Sequence, residues 1–119
     1  MLNETQTTTI RDLCVETKIN QRVFEAMRTL TPNNDKEIIV DELLAHGDFS
    51  EWTPKMQTLR AKIAELFRSL AENELGRFVI GRRGHPSRFI IAKDVSFEDI
   101  LTASGVEMVE EDEPAIAFG

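Results

Sequence analysis

The chain has 119 residues, 41% of them apolar and 29% charged, with a formal net charge of −7; at roughly 150 residues per domain this predicts one core and excludes two catalytic domains. No apolar run exceeds four residues, against the roughly 20 that cross a bilayer, and residues 1–9 lack the basic and apolar segments of a secretory signal. An intracellular, cytoplasmic protein without a membrane partner is expected, and the single Cys14 makes no internal disulfide and suits a small buried apolar position.

In chain order, residues 1–9 are polar and read as a flexible start, and 9–16 as a short helix burying Ile10, Leu13 and Cys14. Asn20 is a good cap, with Ile19 and Phe24 placed as a hydrophobic staple. The helix over 21–30 that follows puts Phe24, Met27 and Leu30 on one stripe. It stops at Thr31 because Pro32 disfavours helical backbone in the residue before it. Residues 31–35 read as a loop, and 37–40 as a short strand on their β-branched content or as the first turn of the next helix. That helix, 42–46, takes Asp41 as its cap, buries Leu43 or Leu44, and closes at Gly47 in a left-handed conformation.

Thr53 and Pro54 form the strongest helix start, a cap followed by proline at the first helical position. The spacing predicts a helix of about 20 residues ending near Gly76. Met56, Leu59, Ile63, Leu66, Phe67 and Leu70 form its apolar stripe. Gln57, Thr58, Ala61, Glu65 and Arg68 lie opposite, with Lys55, Arg60 and Lys62 on the flanks. Two β-rich runs, 77–81 and 88–92, are separated by a segment containing Gly84 and Pro86 and predict a hairpin with Phe78, Ile80, Phe89 and Ile91 facing inward. Ser96 and Asp99 form a capping box, with Val95 and Ile100 as its staple, for a last helix ending at Gly105. Residues 10–105 thus read as one folded domain and 106–119 as an acidic tail.

Charge is unevenly divided. Residues 1–54 hold five cations and ten anions, 55–93 nine and three, and 94–119 none and eight. A polyanion responds to the local patch within about one Debye length, roughly 8 Å, so the +6 middle matters more than the total. The densest part is 81–88, with Arg82, Arg83, His85 and Arg88 among two glycines and a proline. Arginine is favoured in narrow minor grooves, where the negative potential is focused. The run Arg83, Gly84, His85, Pro86 is similar to the core of a minor-groove AT-hook, with His85 where that motif has a second arginine.

Helix, short strand, short helix, turn, long amphipathic helix and basic hairpin together resemble the winged helix-turn-helix domain of transcription regulators, over about residues 21–92. The resemblance implies an α+β fold, mostly helical, with a C-terminal β-hairpin as the wing. It implies a protein that binds double-stranded DNA, the long helix in the major groove and the wing on backbone or minor groove. On that mapping Thr53 and Lys55 meet phosphate, Gln57, Thr58, Arg60, Ala61 and Arg68 face the major groove with Lys62 at its flank, and Arg82, Arg83, His85 and Arg88 hold the neighbouring strand. Gln suits a bidentate pair with adenine and Thr a thymine methyl. The turn before the long helix exceeds the three or four residues of a tight helix-turn-helix. Together with the overall acidity this points to a partner or a homodimer, with the N-terminal helices over 9–30 as the contact. The acidic tail reads as a solvated segment that aids solubility, with a competitor for phosphate or a protein-docking segment as the sharper alternatives. A winged-helix module that meets an acidic protein and no DNA is the rival reading.

No catalytic residue, metal site or cofactor is expected. His46 and His85 lie far apart without a zinc-ligand motif, and there is neither a phosphate loop nor a nucleophile elbow.

Overall fold

The computed structural model of the chain describes residues 2–31 and 36–105. The acidic tail and most of the 31–35 loop lie outside the described residues. Helix α1 spans Glu4–Glu16, earlier than expected, because Asn3 and Gln6 form a reciprocal capping box: the Gln6 amide donates to Asn3 Oδ1 at 2.7 Å and the Asn3 amide to Gln6 Oε1 at 3.0 Å. What reads as a loose polar start is therefore helical from Glu4. Helix α2 spans Lys18–Leu30 and is capped by Thr17, whose hydroxyl accepts from the Asn20 amide at 3.0 Å. Asn20 is buried instead, and its Nδ2 donates to the Leu13 carbonyl at 2.9 Å. That bond satisfies one of the carbonyls that a helix end leaves unpaired, and it locks α1 to α2.

Strand β1, Glu37–Ile39, is followed without a break by α3, Val40–His46, so Asp41 lies inside the helix and makes no cap. A 3₁₀ turn over Ser50–Lys55 precedes α4, Met56–Glu72. Thr53 and Pro54 are inside that turn, and the Thr53 hydroxyl donates back to the Phe49 carbonyl at 3.2 Å. The expected cap at Thr53 is thus spent on the turn, and α4 begins three residues later. The turn brings Trp52 against the core beside Phe49, their rings 6.2 Å apart. Met56 is left 37% exposed, and the buried stripe of α4 starts at Leu59.

Helix α4 ends at Glu72, short of Gly76. The Leu75 amide donates to the Leu70 carbonyl and the Glu74 amide to that of Ala71, at 3.1 and 3.0 Å, with Glu74 left-handed at φ 65°. This is a Schellman closure carried by glutamate where glycine is usual. Gly76 serves packing instead, since a Cβ there would overlap the Ile90 carbonyl and the Phe89 ring. Gly47 is also not left-handed, its φ being −92°; a Cβ there would overlap the Phe49 ring and lie 3.0 Å from Ala26 Cβ.

Strands β2, Gly76–Val79, and β3, Arg88–Ile91, pair antiparallel, and β1 adds to the far side of β3, giving the order β1-β3-β2. Phe78 faces Phe89 across the ladder and Ile38 faces Phe89 on its other side. Phe67 of α4 stacks on Phe89 and Phe78 at centroid distances of 5.1 and 6.0 Å, and Phe89 meets Phe97 edge-on at 6.4 Å. Each fully buried Phe contributes roughly 1.5–3 kcal/mol of transfer free energy. This cluster fixes α4, the sheet and α5, Phe97–Ser104, as one body. Helix α5 is capped by Ser96 and closed by left-handed Gly105, and it packs on α1 and α2. The described residues form an α+β domain of five α-helices and a three-stranded antiparallel sheet. Among the described residues no helix is long and apolar enough to cross a membrane.

Candidate nucleic-acid interface

The solvent face of α4 exists because its other face is used up. Leu59, Ile63, Leu66, Phe67 and Leu70 are buried, which turns Gln57, Thr58, Arg60, Ala61, Lys62 and Arg68 outward, all exposed. Lys55 and Thr53 are exposed at its entry. No carboxylate occurs in the sequence from Trp52 to Ala64, Glu65 being the first on α4.

The hairpin supplies the second group. Beyond Val79 it leaves the ladder and narrows to a tight turn, in which the Arg82 amide donates to the His85 carbonyl at 2.9 Å and the His85 amide to the Arg82 carbonyl at 2.8 Å. Gly84 takes φ 73° at the third turn position, where glycine carries no Cβ penalty. At the neck the Gly81 amide donates to Ser87 Oγ at 2.7 Å, and a Cβ on Gly81 would lie 2.6 Å from the Ser87 nitrogen. Arg82, Arg83 and His85 are thereby presented to solvent by a turn braced at its base. Ile80, expected to face inward, is 60% exposed because the hairpin here has passed the end of the core.

The predicted cations differ in what they already touch. Arg60 pairs with Asp41 at 2.8 Å and Lys62 with Glu65 at 3.9 Å. Arg68 lies over the Phe78 ring, 5.7 Å from its centroid, which joins the helix face to the base of the hairpin. Arg88 stands apart from the exposed group. Its Nε is buried and lies 3.3 Å from Glu37 Oε1, close enough for charge pairing though not aligned as a hydrogen bond. Glu37 and Arg88 are diagonal neighbours on the outer sheet face, so this pair also ties β1 to β3. Lys55, Arg82 and Arg83 have no acidic partner among the described residues.

Two further cations lie at the other end of the hairpin, on the sheet face turned away from α4. Arg77, on the outer face of β2, and Lys93, just after β3, are exposed and line a shallow cleft of about 340 Å³ together with Glu74, Ile90 and Ile91. Their signal in the sequence is that no acid occurs between Leu75 and Lys93. Helix α1 packs its apolar side on α2 and α5, and its outward side carries Glu4, Thr5, Thr8, Arg11, Asp12 and Glu16 around the exposed Val15. Among the described residues no group of three or more His, Cys, Asp or Glu gathers at metal-binding distance. No protein-family model, no curated protein and no solved structure matches this chain.

Proposed function

We propose that this chain is a winged-helix protein that binds double-stranded DNA and regulates transcription, with α4 in the major groove and the 80–87 hairpin on the adjoining backbone or minor groove. The order α2, β1, α3, α4, β2, β3 and the sheet order β1-β3-β2 support the winged-helix reading. The observation that carries the DNA reading is the distribution of acid. In a chain of net charge −7, the exposed first half of α4 and the whole hairpin are free of carboxylates in sequence, and Arg82 and Arg83, without acidic partners among the described residues, sit at the hairpin tip. Arg82, Arg83 and Lys55 supply contacts to phosphate, while Gln57 and Thr58 face bases with Ala61 allowing close approach. His85 and Arg68 border the contact, and Arg88 contributes through its field from beneath. A twofold dimer on paired half-sites belongs to this proposal, and sedimentation with and without duplex tests it.

A mobility shift on random-sequence duplex tests DNA binding directly. About six phosphate contacts predict a roughly thousandfold loss of affinity between 50 and 200 mM salt. Absence of a shift at the lower salt overturns the reading. One observation favours the rival, a protein-docking module: Met56 at the start of α4 and Ile80 at the neck of the hairpin are exposed large apolar side chains on the two elements that carry the cations. That module predicts capture of an acidic protein with shallow salt dependence and no shift of duplex.

A further inference from the structure

We propose that residues 107–113 of this chain compete with phosphate for the α4 and hairpin face, an inference that rests on the DNA-binding reading. Glu107, Glu110, Glu111, Asp112 and Glu113 place five carboxylates in seven residues with no cation among them. The face they match has the opposite composition: Lys55, Arg82 and Arg83 are exposed and without acidic partners among the described residues, and no acid occurs from Leu75 to Lys93.

Reach permits the contact. The Phe97 ring at the start of α5 touches Phe89 of the central strand, and the eight residues of α5 carry the chain only about 12 Å onward at 1.5 Å per residue. The eight residues from Gly105 to Glu113 span at most about 26–29 Å, more than the roughly 12 Å that α5 has carried the chain away from the Phe89 strand. A segment tethered in the same chain meets the face at an effective concentration on the order of millimolar. Duplex DNA must then displace carboxylates that already neutralise the cations. Displaced carboxylates take counterions back, so fewer ions are released overall and the salt dependence is shallower than the exposed cations alone predict.

The test uses the full chain carrying Glu107→Gln, Glu110→Gln, Glu111→Gln, Asp112→Asn and Glu113→Gln together, with a labelled random-sequence duplex at about 50 and 200 mM salt. The variant is expected to bind at least about tenfold tighter at the lower salt, with a steeper salt dependence and a smaller advantage at the higher salt. A variant with only Glu110→Gln and Glu111→Gln should fall between. The control neutralises the same number of exposed acids elsewhere, at Glu4, Asp12, Glu16, Glu42 and Glu98. If the control gains as much as the tail variant, or the tail variant binds as the parent does, the competition is overturned while DNA binding stands. If neither parent nor variant binds duplex at the lower salt, the DNA reading itself falls.

Discussion

Arg60 Nη1 lies 2.8 Å from Asp41 Oδ1, joining the outward face of α4 to the first turn of α3. Both side chains are about half exposed, so the pair is screened and worth roughly 0–1 kcal/mol. Its consequence is for charge: Asp41, like Glu65 beside Lys62, is a carboxylate that intrudes on the proposed DNA face. Asp41→Asn should tighten binding to any duplex and steepen the salt dependence by about one unit, with stability changed by less than about 1 kcal/mol. Arg60→Ala should do the reverse. Identical titrations for both variants would place Arg60 outside the contact.

The turn that carries Arg82 and Arg83 is closed by backbone hydrogen bonds, not by their side chains. Arg82→Ala with Arg83→Ala should therefore leave thermal unfolding almost unchanged, weaken binding to all duplex sequences alike and lower the salt slope by about two. Gln57→Ala should instead change preference among sequences, by roughly 1–3 kcal/mol at one base pair if the amide makes a bidentate contact. Selection of bound fragments from a random pool, compared between the two variants, separates the roles.

Gly47→Ala pushes a methyl into the Phe49 ring and against Ala26. With φ at −92° the backbone itself accepts alanine, so the cost is overpacking, about 1–3 kcal/mol. Urea unfolding should show a lower midpoint with an unchanged slope. A neutral result would mean the Phe49 ring has room to swing aside.

Glu74 occupies the left-handed position of the α4 closure at φ 65°, a conformation that costs a residue with a Cβ roughly 1–2 kcal/mol. Glu74→Gly should stabilise the protein, by less than that figure because glycine also gains freedom in the unfolded chain. The melting temperature reports it, and a fall would show that the glutamate side chain holds more than the backbone strain costs.

Cys14 is buried between α1 and its neighbours, and burial, aided by the negative charge of Glu25, pushes its thiol pKa up. The folded state therefore keeps the thiol proton longer than the unfolded chain does. That contribution is complete below the ordinary thiol range and is lost as pH rises through the raised folded value. Cys14→Ala should flatten the alkaline decline of stability, and maleimide labelling of the native protein should run at the rate of unfolding. Fast labelling of the folded protein would contradict this burial.

Elements carried by local pattern were legible in the chain itself. The stripe of α4 from Leu59 to Leu70, the paired runs around Phe78 and Phe89, and the Ser96 cap of α5 each depend on spacings within a few residues, where helix and strand periods act directly. The grouping of Arg82, Arg83 and His85 at a turn was legible for the same reason. The strand at 37–39 was not settled by its own residues, because only pairing with β3 separates it from a helical turn.

What folding alone decided concerns contacts between distant parts of the chain. Gly47 and Gly76 look like helix stops, yet each is required by an aromatic ring, Phe49 in one case and Phe89 in the other, and the left-handed position went to Glu74. Thr53 looks like a cap, but the 3₁₀ turn that seats Trp52 claims its hydroxyl. Arg88 looks equivalent to Arg82 and Arg83, but strand pairing brings Glu37 beside it and leaves its neighbours at the tip to solvent. Short-range periodicity fixes which face of an element is apolar, whereas the partner of a charge or the room around a glycine depends on where separate elements meet in space.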